Sequence, residues 1–231
     1  MGYNFYFSGF YLHQLSMSAL AIVRTGSLEQ LQQFVTKWNW TRDDIVRNNN
    51  RLLREACEYG RLDIVQWLLD NYLQAEDLKD FNNGPMGEAA SQGHLDVVQA
   101  LQWRAIEWGV PFIKDDFKSF NMTGGCSVFI AVCNEGHAHI LDWMYEHGFM
   151  TQDDYLPDQI SSYIFAASQG NLDVLQWLDR HFPVTVEDMI KAFEEYDISI
   201  QDLEGVGFEE DIVQYLTNKF IKDYPQIHNG I

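Results

Sequence analysis

Apolar and polar positions alternate along this chain in a block that recurs. Leu53–Leu68 reads LREACEYGRLDIVQWL, Met86–Leu101 MGEAASQGHLDVVQAL, Phe129–Met144 FIAVCNEGHAHILDWM and Tyr163–Leu178 YIFAASQGNLDVLQWL. Each block is a short apolar segment with a pair of small residues, then Gly, then a second apolar segment on helical spacing. The turn glycines Gly26, Gly60, Gly93, Gly136 and Gly170 are 34, 33, 43 and 34 residues apart. A period of about 33 residues built from two short helices predicts stacked helical repeats, each burying its apolar face on its neighbours. In the second helices Leu62, Ile64-Val65 and Leu68 mark one buried face. Trp67, Trp143 and Trp177 share a register, with Ala100 in the third copy and Tyr215 in the last. A position repeated in this way is expected to be inter-repeat core.

The blocks resemble the ankyrin repeat, whose helical part reads roughly T-P-L-H-x-A-A-x-x-G-H-L-x-x-V-x-x-L-L. The small pair stands here as Ala56-Cys57, Ala89-Ala90, Val132-Cys133 and Ala166-Ala167. The Gly-His turn stands as Gly93-His94 and Gly136-His137, and becomes Gly60-Arg61 and Gly170-Asn171 elsewhere. Of the T-P-L-H opening, only Pro85 is in register. The resemblance implies an all-α, ankyrin-like solenoid of five repeats plus a degenerate sixth, with few or no β-hairpin fingers, over residues 17–217. The array is expected to form one elongated unit. Residues 1–16, with six aromatics in the first eleven positions, are expected to pack as an N-terminal cap, and 218–231 form a tail.

The connectors share an acidic pair followed by an apolar residue, as in Thr41-Arg42-Asp43-Asp44-Ile45, Gln74-Ala75-Glu76-Asp77-Leu78, Ile113-Lys114-Asp115-Asp116-Phe117, Thr151–Tyr155 and Thr185–Met189. Thr as N-cap acceptor, with acids in the first turn, predicts that each pair opens and lengthens the next helix. Such connectors look like the ankyrin subclass abundant in protists, giant viruses and effectors of intracellular bacteria.

The extra length between Gly93 and Gly136 lies within residues 103–125, an insertion holding Trp108, Phe112, Phe117 and Phe120. It is either a plug over the solenoid or a binding element on one face. From Glu187 to Asp223 there are eleven acidic residues against three lysines. An acidic, irregular last repeat suits a wet C-terminal cap, or a dock for a basic partner.

Composition narrows the function. With 34 acidic and 15 basic residues the formal charge is −19, which repels phosphate backbones and excludes nucleic acid and anionic membrane as expected partners. No apolar run of 18 residues exists. Cys57 and Cys133 fall at the small inward positions, and with Cys126 they make an odd count that points to a reducing, cytoplasmic compartment. Cys126, Cys133, His137, His139 and His147 lack metal-site spacing, and no nucleotide, hydrolase or metalloprotease motif occurs. No cofactor is expected.

By resemblance, ankyrin proteins meet partners on the concave face of first helices and connectors. The two residues between the small pair and the glycine face that surface: Glu58-Tyr59, Ser91-Gln92, Asn134-Glu135 and Ser168-Gln169. Tyr59 is the one aromatic anchor among them. Three readings follow: a monomeric protein-binding module, acting in a host cytoplasm if it is an effector; an inhibitor covering a basic site on one protein; or an enzyme with a pocket on the repeat surface.

Overall fold

The computed structural model describes residues 4–118, 127–150, 159–183, 185 and 209–221, and every regular element among them is helical. There is no strand among the described residues, so the described connectors carry no β-hairpin fingers. The chain divides into two compact units, Met1–Cys126 and Ser127–Ile231, at the C-terminal edge of the insertion.

The first unit holds three helix pairs: α1 (Asn4–Thr25) with α2 (Leu28–Lys37), α4 (Arg47–Glu58) with α5 (Leu62–Asn71), and α6 (Asp80–Ser91) with α7 (Leu95–Glu107). The four-residue α3 (Arg42–Ile45) and two 3-10 turns, Ala75–Lys79 and Lys114–Phe117, join or follow them. The second unit holds α8 (Val128–Glu135) with α9 (Ala138–Glu146), and α10 (Gln159–Ser168) with α11 (Leu172–His181). It then has α12 (Glu210–Leu216), which continues into a wide π turn over Thr217–Ile221. The acidic stretch 186–208 and the first helix of a sixth repeat lie outside the described residues, as do the connector at 151–155 and the end of the tail.

Why these residues pair as helices follows from what they bury. The small pairs Ala56-Cys57, Ala89-Ala90, Val132-Cys133 and Ala166-Ala167 are all buried, so first helices approach their neighbours closely. Second helices bury Ile64, Val65, Leu68 and Leu69, then Val97, Val98, Leu101 and Ala105, on one face each. In the second unit the same face is Ile140, Leu141, Trp143 and Met144, then Val174, Leu175, Trp177 and Leu178. Trp67, in the same register, is only half-buried. Ser27 opens α2 with a capping box: its hydroxyl accepts from Gln30 N at 3.2 Å while Gln30 Oε1 accepts from Ser27 N at 2.8 Å.

The backbone of α1 runs unbroken from Asn4 through Met17–Val23 to Thr25. One expectation is corrected. At the three described connectors the second acid does the capping, and at Thr41 it does so in place of the threonine. Asp44, Asp77 and Asp116 each accept from the backbone N–H three residues earlier, at 3.0, 2.8 and 2.8 Å. The Thr41 hydroxyl donates to Asp44 instead of accepting. The turns so formed are short and separate, because a left-handed backbone follows: Asn48, Asn49 and Asn50 have φ of 57, 58 and 52°, and Asn83 has φ 59°. Asparagine tolerates that region best among residues with a Cβ. Pro85 follows in the first turn of the right-handed stretch of α6, where its missing N–H costs nothing.

This backbone places a buried asparagine against the next connector. Asn50 Nδ2 donates to Asp77 O at 3.4 Å, and Asn83 Nδ2 donates to Asp116 O at 3.1 Å. A cation one repeat back meets the same acid: Arg42 to Asp77 at 2.8 Å and Lys79 to Asp116 at 2.7 Å. The acidic pairs therefore staple neighbouring repeats. We expect Asp77→Ala to lose about 1–2 kcal/mol in urea unfolding, from one cap and its partly buried pair. An unchanged midpoint would leave Asp77 outside the staple.

Candidate functional site

The predicted partner-facing residues stand where first helices end, and the turns lock those ends in place. Arg61 Nη1 donates to Val23 O at 2.6 Å and His94 Nε2 to Glu58 O at 3.0 Å. Asn171 Nδ2 donates to Cys133 O at 3.1 Å and to Asn134 O at 2.6 Å. In each case the residue after a turn glycine satisfies carbonyls at the end of the preceding repeat's first helix, groups that would otherwise be orphaned. The glycine itself is doubly required at Gly60. Its φ is +61°, and a Cβ there would lie 2.5 Å from the His94 ring.

Tyr59 is the C-cap of α4 and is 43% exposed. The Arg24 guanidinium lies over its ring, 5.7 Å from the centroid. Arg24 is itself held by Glu55 through Nε–Oε2 at 2.6 Å and Nη2–Oε1 at 2.8 Å, a bidentate pair, and Arg51 reaches the same carboxylate at 3.3 Å. Burial alone would raise the Glu55 carboxyl, but Arg24 and Arg51 outweigh it and hold it below the usual range. Arg24 is raised in turn by Glu55. Tyr59 is thus an exposed aromatic on a fixed cationic base.

Beside it, Asn48, Arg51, Arg54, Glu55, Glu58 and Glu88 line a polar cavity of about 280 Å³. Glu88 is 6% exposed; Arg54 Nη1 lies 3.6 Å from its Oε1, while its Oε2 is buried with no hydrogen-bond partner. Burial, then the neighbouring Glu58 charge, pushes the Glu88 carboxyl up to about 7. Burial and Glu55 also raise Glu58. Sequence reasoning missed Arg24, Arg51, Arg54, Glu55 and Glu88. A signal for the two acids exists: in repeats two and three a glutamate immediately precedes the buried small pair, as Glu55-Ala56 and Glu88-Ala89. A charge at that inward position needs a partner across the repeat boundary.

The other predicted residues separate by burial. In the first unit Gln92 is exposed, whereas Ser91 is buried and its hydroxyl donates to Glu88 O at 3.1 Å. In the second unit Glu135, Ser168 and Gln169 are exposed, and Asn134 is half-buried with its amide on Glu135 at 3.0 Å. Of the insertion aromatics, Phe112 and Phe117 are 2% and 3% exposed core residues. Trp108 is half-buried, 5.4 Å from the Arg104 guanidinium, and Phe120 lies outside the described residues. Burial of Phe112 and Phe117 follows from geometry: Gln102 accepts from Phe112 N at 3.0 Å, and the capped 3-10 turn at Lys114–Phe117 ties the segment down.

A larger cleft of about 540 Å³ runs between α1 and α2, lined mainly by Ala21, Ile22, Gln30, Gln33 and Phe34, with Lys37 its one charge. Among the described residues no group of His, Cys, Asp and Glu is placed to hold a metal ion. No described helix is long and apolar enough to cross a membrane.

Paired helices at a 33-residue period, small inward pairs and glycine turns that cap the preceding repeat define a helical repeat protein. Residues 53–102 match the family model described as ankyrin repeats (many copies). No curated protein is a significant match to the chain. Ankyrin repeats are in general protein–protein interaction modules and typically not enzymes.

Proposed function

We propose that this chain is a non-enzymatic protein-binding module whose first unit meets its partner at the ends of the first helices, around Tyr59, Glu58 and Gln92. The observation that carries the reading is Tyr59. An exposed tyrosine whose ring rests on an arginine already locked by a bidentate carboxylate loses little freedom on binding, and such anchors dominate interface energetics. Glu58 beside it favours a basic group on the partner, in keeping with the acidic chain. In the second unit Glu135, Ser168 and Gln169 offer polar contacts of the same kind.

The test is capture from a eukaryotic cell lysate by the wild type beside Tyr59→Ala and Gln92→Ala, with bound proteins identified and their affinity then measured. Tyr59→Ala is expected to weaken the captured partner's binding by roughly tenfold or more while leaving the unfolding midpoint unchanged. Equal retention by wild type and variant removes Tyr59 from the contact. The same capture at two salt concentrations separates a general module from an inhibitor of one basic site. A steep loss with salt favours the inhibitor. An effector role is supported if the partner is a host regulatory protein.

A further inference from the structure

The tryptophan register recurs along the second helices. Trp177 shows what that register does. Its ring packs back onto the preceding second helix, where Nε1 donates to Asp142 Oδ1 at 2.5 Å and Tyr145 meets the ring edge-on at 6.1 Å and 84°. One turn further along its own helix, His181 stacks on it at 4.3 Å. The seat of this indole is therefore an acceptor, an apolar wall and a stacking lid.

The same four positions occur in the first unit, two repeats earlier in the register. Gln66 stands where Asp142 does, Leu69 where Tyr145 does, Arg104 where His181 does, and Ala100 where Trp177 does. All four line one cavity of about 250 Å³, completed by Asp70 and Trp103. The seat's positions are present, with the Ala100 methyl group where an indole stands at Trp177. Leu69, on α5, is buried, whereas Trp103 and Ile106 on α7 are 62% and 58% exposed. Arg104 is held by Asp70 and lies 5.7 Å over the Trp103 ring.

We infer that this cavity takes a tryptophan side chain of a partner protein. The Gln66 side-chain carbonyl replaces Asp142 as acceptor for the indole N–H. The Leu69 side chain supplies the apolar wall, and the Arg104 guanidinium supplies a cationic lid. Trp103 and Ile106 extend the apolar contact at the rim. Asp70 and Glu107, both half-exposed beside Arg104, favour a basic segment around the tryptophan. This contact lies on the second helices and does not depend on the Tyr59 face.

The probe is N-acetyltryptophanamide, titrated into the full chain and followed by amide chemical shifts. Saturable shifts are expected at Leu69, Ala100, Trp103 and Arg104, with a dissociation constant of about 1 mM; N-acetylleucinamide binds roughly tenfold more weakly. Ala100→Trp fills the seat from within. It is expected to abolish the saturable shifts and to raise the melting temperature by about 2–4 °C. Trp103→Ala, at an exposed position, weakens the probe and leaves the fold intact. Tyr59→Ala leaves the titration unchanged, so failure here is distinct from failure of the first-helix contact. Absence of saturable shifts, or equal affinity for the probe in Ala100→Trp, overturns the proposal. A dimer in sedimentation that Ala100→Trp dissociates also overturns it, by making a second copy the occupant.

Discussion

Trp177→Ala is expected to cost about 3–5 kcal/mol, the range for deleting a large buried aromatic with incomplete collapse of the cavity. Trp177 is 2% exposed and sits between Tyr145, His181 and Phe182, with its N–H on Asp142. Trp67→Ala, at the same register, is expected to cost less than half as much. Trp67 is half-buried, and its ring meets Tyr72 edge-on at 5.2 Å. Urea unfolding followed by far-ultraviolet circular dichroism measures both. Trp177→Phe keeps most of the apolar area and removes the bond to Asp142, whose share is roughly 1 kcal/mol. If Trp67→Ala proves as damaging as Trp177→Ala, burial is not what the register encodes. If Trp177→Ala costs under about 1 kcal/mol, the core assignment itself fails.

That contrast shows where sequence and structure part. The turn glycines, the small pairs and the apolar face of the second helices were legible because each is a local rule repeated at a fixed period. A buried face must recur every three to four residues, and a positive φ beside a close ring must be glycine. The same register, however, holds tryptophans of unequal burial. How deep a side chain lies depends on the neighbouring repeat: Asp142 and Tyr145 enclose Trp177, and no periodicity within one helix reports them.

The site was legible in outline only. Tyr59 and Gln92 were readable as helix-end positions, but the ion pair that steadies Tyr59 joins Arg24 to Glu55 across 31 residues, and neither residue belongs to a motif. Ser91 was read as facing out because it follows the small pair. Its helix instead turns it inward onto Glu88 O. The acidic pairs were correctly read as caps with the wrong atom doing the capping. Thr41 stands at an N-cap, yet a carboxylate three residues on is the stronger acceptor and takes both the Thr41 N–H and its hydroxyl. The asparagines were the least legible. A run of three reads as loop, and the left-handed turn it makes is specified by the bond from Asn50 to the next repeat.

Glu88→Gln is expected to stabilise the protein at pH 8 and to have no effect near pH 4.5. The Glu88 carboxyl is raised to about 7 in the folded chain, from an ordinary value near 4.5. Below the unfolded value both states hold the proton, and the residue is neutral to stability. As pH rises from there to about 7, the unfolded chain ionises first, and stability falls by about 1.4 kcal/mol per pH unit. Above the folded value the loss is complete, at about 3 kcal/mol. Glu55 acts in the opposite sense. Its folded carboxyl is lowered, so the stability it contributes is present above the unfolded value and is lost only as pH falls through the folded one. Glu58 is raised like Glu88 and adds to the same slope, while Arg54 opposes it. The wild type alone therefore mixes several titrations, and the difference between wild type and Glu88→Gln isolates one. Urea unfolding at pH 5 and pH 8 is the measurement. A gap that opens by about 2–3 kcal/mol between them places the cost on an ionised carboxylate buried between Glu58 and Arg54. A gap of the same size at both pH values assigns it to packing and removes the buried charge from the account of this face.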